Sequence, residues 1–182
     1  MNSILKKQPV IWLFSILIAG VMAGFGADKA NFYQKFGVDP SHLPYQRDAN
    51  PRKELADAQH RAESLGKIVM VTFGANWCPD CLVLHRNLEE GETQKYANQH
   101  FEFVNVDVGE FNRNEDLAEE LGVELKGIPV AIFFQSNGKL FANTNGGELE
   151  PSRAYTSKQI LLFLRKIVEQ GKVIFPNDTT AN

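Results

Sequence analysis

The sequence predicts an α/β fold in which a mixed β-sheet is flanked by helices, and three observations indicate it. Residues 68–73 are nearly all apolar and mostly β-branched or aromatic, which is typical of a central strand buried on both faces. Residues 101–108 indicate a second strand, and the intervening segment is long enough for the helical crossover that joins parallel strands. Residues 130–143 indicate an antiparallel hairpin that turns at Asn137-Gly138.

Composition limits the possible functions. The chain has 182 residues, of which 43% are hydrophobic and 10% aromatic, enough for the core of one domain with appendages. The formal net charge is −3 and lysines and arginines are dispersed, so nothing indicates nucleic-acid binding.

Residues 1–27 are predicted to be a signal peptide or a membrane anchor. Lys6 and Lys7 precede the apolar run Val10–Met22, which would span roughly 20 Å as a helix, short of the roughly 30 Å hydrocarbon core. This length and the small residues that follow favour a cleaved signal peptide. If the apolar stretch is continued through Ala27, an uncleaved membrane anchor is the alternative. Either way we expect export to a non-reducing compartment, where a free dithiol needs a reducing partner.

The rest of the chain divides into a linker (28–50) that we expect to lie along the domain, a folded domain (51–175) and a polar tail (176–182) that we expect to be disordered. The domain begins with an extra helix, capped by Asn50 and Pro51 and stopped by Gly66. The apolar face predicted for this helix consists of Leu55, Ala58, Ala62 and Leu65. Further helices are predicted from Cys78 to Glu90, Thr93 to Gln99, Asn114 to Leu121 and Ser157 to Gln170.

The two cysteines of the chain form a C-x-x-C motif between the first strand and a predicted helix. The first sulfur then lies at a helix N-terminus, where unpaired N–H groups and the helix dipole stabilise a thiolate. Cys78 is therefore the predicted nucleophile. Pro79 occupies the first helical turn at no cost and places Cys81 one turn on, where it can attack a mixed disulfide at Cys78. Cys81 is the predicted resolving thiol.

Other interpretations of the cysteines are weaker. A structural disulfide across so short a loop would stabilise the fold by only about 2 kcal/mol. A four-cysteine zinc site needs a second cysteine pair that the chain lacks. A soft ion such as Cu(I), held by Cys78, Cys81 and His85, stays open as an alternative, as does a redox-inert chaperone.

The segment Trp77-Cys78-Pro79-Asp80-Cys81 resembles the active site of the thioredoxin superfamily, and Gly127-Ile128-Pro129 before the strand that starts at Val130 resembles that family's second mark. The resemblance covers about Lys67 to Gln170. It implies a thioredoxin fold, with Pro129 in a cis peptide facing the cysteines and Ile128 offering backbone hydrogen bonds to a substrate strand. Trp77 would flank the exposed sulfur of Cys78 and form part of the docking surface.

Two departures from the family pattern concern proton transfer to the resolving thiol and the reduction potential. Thr72 stands where thioredoxins usually carry a buried aspartate that assists proton transfer to the resolving thiol, and the lysine that neighbours it in the family aligns near Phe103. Water, the Thr72 hydroxyl or His85 are the substitutes that the sequence offers. Pro79 and Asp80 replace the family's Gly-Pro pair, a position that tunes the potential. Asp80 stabilises the helix N-terminus, but its charge disfavours a thiolate at Cys78.

The resemblance implies an exported thiol-disulfide oxidoreductase, a protein-disulfide reductase in the bacterial periplasm or on the outer face of the inner membrane. Its partners would be protein disulfides and a transmembrane thiol carrier that supplies electrons, with membrane contact only through the N-terminal segment. No cofactor is implied, because the sulfur atoms carry the electrons. Disulfide oxidation or isomerisation uses the same residues and is an alternative.

Overall fold

The computed structural model describes residues 28–170, so the predicted signal or anchor segment and the predicted tail lie outside the described residues. Its elements, in chain order, are α1 (28–35), α2 (Pro51–Leu65), β1 (Ile68–Gly74), α3 (Pro79–Leu88), α4 (Gly91–His100), β2 (Phe101–Asp107), α5 (Glu115–Glu120), β3 (Val130–Phe134), β4 (Leu140–Asn143), a 3₁₀ turn (Ser152–Ala154) and α6 (Ser157–Gln170).

The strands form one mixed sheet in the order β2-β1-β3-β4, which confirms the predicted α/β class and thioredoxin fold. β1 pairs in parallel with β2 and antiparallel with β3, and β3 pairs antiparallel with β4. Since β1 has a partner on each side and helices on each face, its apolar sequence is needed throughout.

The core lies on both faces of the sheet, because successive side chains of a strand point to opposite sides. Val69, Val71 and Phe73 of β1 belong to one buried cluster, together with the apolar residues of α2. Met70 belongs to the other, together with Phe133 of β3 and the apolar face of α6. The carboxyl end of β1 is thereby held rigidly, and the C-x-x-C motif follows it directly.

The extra helix α2 begins and ends as predicted. The side chain of Asn50 accepts a hydrogen bond from Lys53 N at 3.1 Å, and Gly66 ends the helix with a φ of +67°. The placement of Leu65 on the buried face was wrong, since this residue is 60% exposed. Leu65 is the last residue of the helix, where the chain turns towards β1 and leaves the side chain in water.

The segment predicted as a linker is more ordered than its mixed sequence indicates. Residues 28–35 are helical, and Val38 and Tyr45 are buried against the domain. Single buried side chains of this kind have no periodicity to reveal them. Within residues 28–170, no helix has the length and apolar character needed to cross a membrane.

Candidate dithiol active site

The two thiols lie at the junction of β1 and α3. Cys78 is the N-cap residue of α3, and its Sγ accepts a hydrogen bond from Cys81 N at 3.2 Å. Pro79 occupies the start of the helix, where no N–H is needed. Both cysteines are free thiols, 4% and 0% exposed respectively. Cys78 is therefore less exposed than the sequence led us to expect.

The two sulfur atoms have different surroundings, which shift the pKa values of the two thiols in opposite directions. A side-chain hydrogen bond from Cys81, with backbone N–H groups of Cys81 and Asp80, holds the pKa of Cys78 below its ordinary value, against burial and the Asp80 charge. Burial, followed by the hydrogen bond and charge of Cys78, raises the pKa of Cys81 far above the ordinary value of a thiol. Of the two thiols, Cys78 is therefore the one whose surroundings favour the thiolate, whereas the surroundings of Cys81 favour the protonated thiol.

Asp80 lies within the motif but is held by a residue far along the chain. Its Oδ1 accepts a hydrogen bond from Arg153 N at 2.8 Å, and its Oδ2 accepts one from Arg153 Nε at 2.9 Å. The Asp80 side chain is 12% exposed and that of Arg153 is 59% exposed, so the pair lies at the protein surface and is partly screened by water. Arg153, which the sequence analysis did not identify, offsets the negative charge that Asp80 places beside Cys78.

We expect the variant Arg153→Gln to slow alkylation of Cys78 by iodoacetamide about threefold at neutral pH, because the unpaired Asp80 charge raises the pKa of Cys78. Asp80→Asn should change the rate in the opposite direction. The pH dependence of the alkylation rate measures both effects. Arg165→Gln, on the exposed surface of α6, is the matched control and should leave the rate unchanged. Shifts of the same sign in the first two variants would contradict this electrostatic account.

Trp77 is exposed beside the cysteines, with 42% of its surface accessible. Its indole Nε1 donates a hydrogen bond to Gly109 O at 2.8 Å, and its ring lies 6.0 Å from that of Phe111, centroid to centroid. Phe111 has a left-handed φ of +59°, a conformation unusual for a bulky residue, and its side chain is also exposed. The two rings form an apolar surface next to Cys78 that the sequence analysis predicted only for Trp77.

The second predicted motif lies against the first. The thiol of Cys78 donates a hydrogen bond to Ile128 O at 3.6 Å, and the Ile128–Pro129 peptide bond is cis. Both residues are buried at the start of β3. Two segments that are far apart in the sequence therefore meet at one sulfur atom.

Thr72 and His85, the side chains proposed to aid proton transfer, have different surroundings. Thr72 is buried in β1 with Asn105 as its neighbour on β2, so Asn105 rather than Phe103 occupies the position beside it. His85 Nε2 lies 3.4 Å from a carboxylate oxygen of Glu89. Burial lowers the pKa of His85, and the charge of Glu89 opposes that shift.

The alternative metal site is not assembled. Within residues 28–170, no three His, Cys, Asp or Glu side chains lie close enough together to hold a metal ion. Among these residues, His85 and the two cysteines therefore do not come together as a ligand set.

Comparison with known proteins decides the family. Residues 50–136 match the sequence pattern of the Thioredoxin-like family. The chain is also 39% identical over 77 residues to the thioredoxin of Mycoplasmoides gallisepticum, a match that covers 42% of this chain and 68% of that protein. This chain belongs to the thioredoxin-like family. Its thioredoxin fold is thus the fold of its family.

Two further relatives are named for thiol-disulfide chemistry. The solved structure of a disulphide isomerase from Xylella fastidiosa Temecula1 is 35% identical, with a TM-score of 0.68, and the match covers 70% of this chain and 98% of that one. The thiol:disulfide interchange protein DsbD of Campylobacter jejuni is 36% identical over 73 residues, 40% of this chain. The match spans only 12% of DsbD. These relatives support a disulfide oxidoreductase activity in general terms.

Proposed function

We propose that this protein is an exported thiol-disulfide oxidoreductase that reduces protein disulfides by dithiol exchange. The observation that carries the proposal is the pairing of Cys78, whose pKa is lowered at the start of α3, with a buried and protonated Cys81 that donates a hydrogen bond to it. A thiolate poised beside a second thiol is the arrangement that a two-step exchange requires.

In the first step the Cys78 thiolate attacks one sulfur of a substrate disulfide. A mixed disulfide forms at Cys78, and the other substrate sulfur leaves as a thiolate that takes up a proton. In the second step Cys81 loses its proton and attacks Cys78 Sγ. The Cys78–Cys81 disulfide forms, the substrate is released as a second thiol, and two electrons have passed to the substrate.

Substrate binding is assigned to the groups around Cys78. The Ile128 carbonyl, which already contacts the Cys78 thiol, and the adjacent Pro129 border the sulfur on one side. The exposed ring of Trp77 provides apolar contact to an incoming chain. A substrate approaching along this edge would bring its disulfide to the one nucleophilic sulfur.

Export and the supply of electrons are part of the same proposal. Lys6, Lys7 and the apolar run Val10–Met22 support export to the bacterial periplasm or the outer face of the inner membrane. A dithiol in such a compartment needs a donor that reduces it after each cycle, and a transmembrane thiol carrier fits this need. Protein-disulfide isomerisation is the second candidate, favoured by the similarity to the Xylella protein.

The reduction potential of the Cys78–Cys81 pair tests the proposal and its direction. The full chain is equilibrated with glutathione and, separately, with dithiothreitol buffers, and the oxidised fraction is measured by alkylation and mass analysis. We expect a value near that of thioredoxin, roughly −270 mV. A value near roughly −180 mV would favour isomerisation, and one near roughly −120 mV an oxidase. A pair that reaches no redox equilibrium would overturn dithiol chemistry altogether, with Cys81→Ser as the control that cannot form the internal disulfide.

A further inference from the structure

Tyr45 reaches the active site from the segment that precedes the domain. It is 2% exposed and belongs to the buried cluster that contains Cys78 and Cys81. The side chain of Asn76, two residues before Cys78, binds the Tyr45 backbone twice: Tyr45 N donates to Asn76 Oδ1 at 3.2 Å, and Asn76 Nδ2 donates to Tyr45 O at 2.7 Å. The short loop between β1 and the C-x-x-C motif therefore fixes the position of this tyrosine.

The phenol lies over the carboxyl end of β1. A Cβ atom added to Gly74 would lie 2.5 Å from both Cζ and Oη of Tyr45, far closer than van der Waals contact. Gly74, the last residue of β1, thus makes room for the hydroxyl end of this ring. The hydroxyl thus lies in the buried cluster that also contains Cys78 and Cys81.

The resolving step needs a polar group at this place. Cys81 is completely buried, and a thiolate without a hydrogen-bond donor is costly there. The position that could carry a charged proton acceptor in β1 is occupied by Thr72. The Tyr45 hydroxyl is a neutral hydrogen-bond donor within the same buried cluster.

We propose that the Tyr45 hydroxyl donates a hydrogen bond to Cys81 Sγ and stabilises the Cys81 thiolate that resolves the mixed disulfide. This role rests on the proposed function. The proton of Cys81 leaves with the released substrate thiol, while the phenol keeps its own proton. The S–S bond between Cys78 and the substrate breaks as the Cys78–Cys81 bond forms, so no further oxidant or reductant is required.

The charged and titratable groups facing Tyr45 are compatible with a neutral donor. They are Cys78 and Cys81, and Asp107 at the end of β2. Burial, followed by the charges of Cys81 and Cys78, raises the pKa of Tyr45 well above its ordinary value. Arg113 Nη1 lies 3.3 Å from Asp107 Oδ2 and partly offsets the carboxylate. The phenol therefore remains protonated wherever the two cysteines react.

The test separates the two steps in one trace. The reduced full chain is mixed with dithiobis-nitrobenzoate, and the release of thionitrobenzoate is followed by absorbance. The first release reports attack by Cys78 and depends on reagent concentration, whereas the second reports resolution by Cys81 and does not. In Tyr45→Phe we expect the second phase to slow about tenfold, the effect of losing a hydrogen bond to a charged group, with the first phase unchanged.

A pH profile distinguishes this role from a structural one. In Tyr45→Phe the second phase should need a pH about one unit higher than in the wild type to reach the same rate, since a tenfold loss of thiolate stabilisation is one pKa unit. Tyr96→Phe, on α4, is the matched control and should alter neither phase. Gly74→Ala, which keeps the hydroxyl but displaces the ring, should also slow the second phase and serves as the test if Tyr45→Phe does not fold.

The outcomes separate the two proposals. A second phase in Tyr45→Phe with the rate and pH dependence of the wild type would overturn the role of Tyr45 and leave the dithiol mechanism intact. A wild-type chain that releases thionitrobenzoate without forming the Cys78–Cys81 disulfide would instead overturn the proposed function.

Discussion

Replacement of Cys78 by serine is expected to abolish disulfide reduction by this protein, with a loss on the order of a thousandfold or more. A serine hydroxyl stays protonated at neutral pH, so the hydrogen bonds that lower the pKa of Cys78 have no anion to stabilise. Cys81 cannot take over, because it is completely buried and its pKa is raised. The reduction of insulin by dithiothreitol, followed by turbidity, measures the loss.

Cys81→Ser is the matched variant for the same assay. It keeps the nucleophile and should accumulate mixed disulfides at Cys78, visible as added mass under non-reducing conditions and removed by dithiothreitol. In cell extracts Cys81→Ser should retain client proteins as mixed disulfides, whereas the double variant with serine at both Cys78 and Cys81 should retain none. If Cys78→Ser traps partners and Cys81→Ser does not, the assignment of the two thiols is reversed.

Phe133→Ala is expected to lower the free energy of unfolding by about 3–5 kcal/mol, through lost apolar burial and the cavity that remains. The ring is completely buried in β3, with its centroid 6.4 Å from Phe101 and 6.0 Å from Phe163, both in edge-on geometry. It also lies opposite Met70 of β1 and so joins the central strand pair to α6. A loss of this size is a large part of the stability of an ordinary domain.

Urea denaturation of the reduced protein, followed by far-UV circular dichroism, measures this change from the midpoint and slope. Leu140→Ala on the neighbouring strand β4 is the control, because Leu140 is exposed and its truncation should cost about 0.5 kcal/mol or less. Equal losses in the two variants would show that the face of β3 against α6 is not the centre of the core.

The elements around the site could be predicted because their signals are local. The apolar run of β1, the Asn-Gly turn and the caps of α2 each lie within a few residues of the structure that they specify. The order of two cysteines and a proline at a helix start likewise predicts which thiol is the nucleophile and which one resolves the mixed disulfide. For the same reason the fold class and the family resemblance followed from short stretches.

The partners of those residues could not be predicted in this way. Arg153 binds Asp80, and Tyr45 is held by Asn76, across sequence separations that carry no periodic signal. The burial of Cys78 and the exposure of Leu65 likewise depend on what the rest of the chain packs against them. The sequence therefore determines which chemistry is present, since that depends on residue type and spacing along one helix. Tertiary structure decides how the chemistry is tuned, because charge, burial and hydrogen bonding at a sulfur atom are set by groups that only folding brings together.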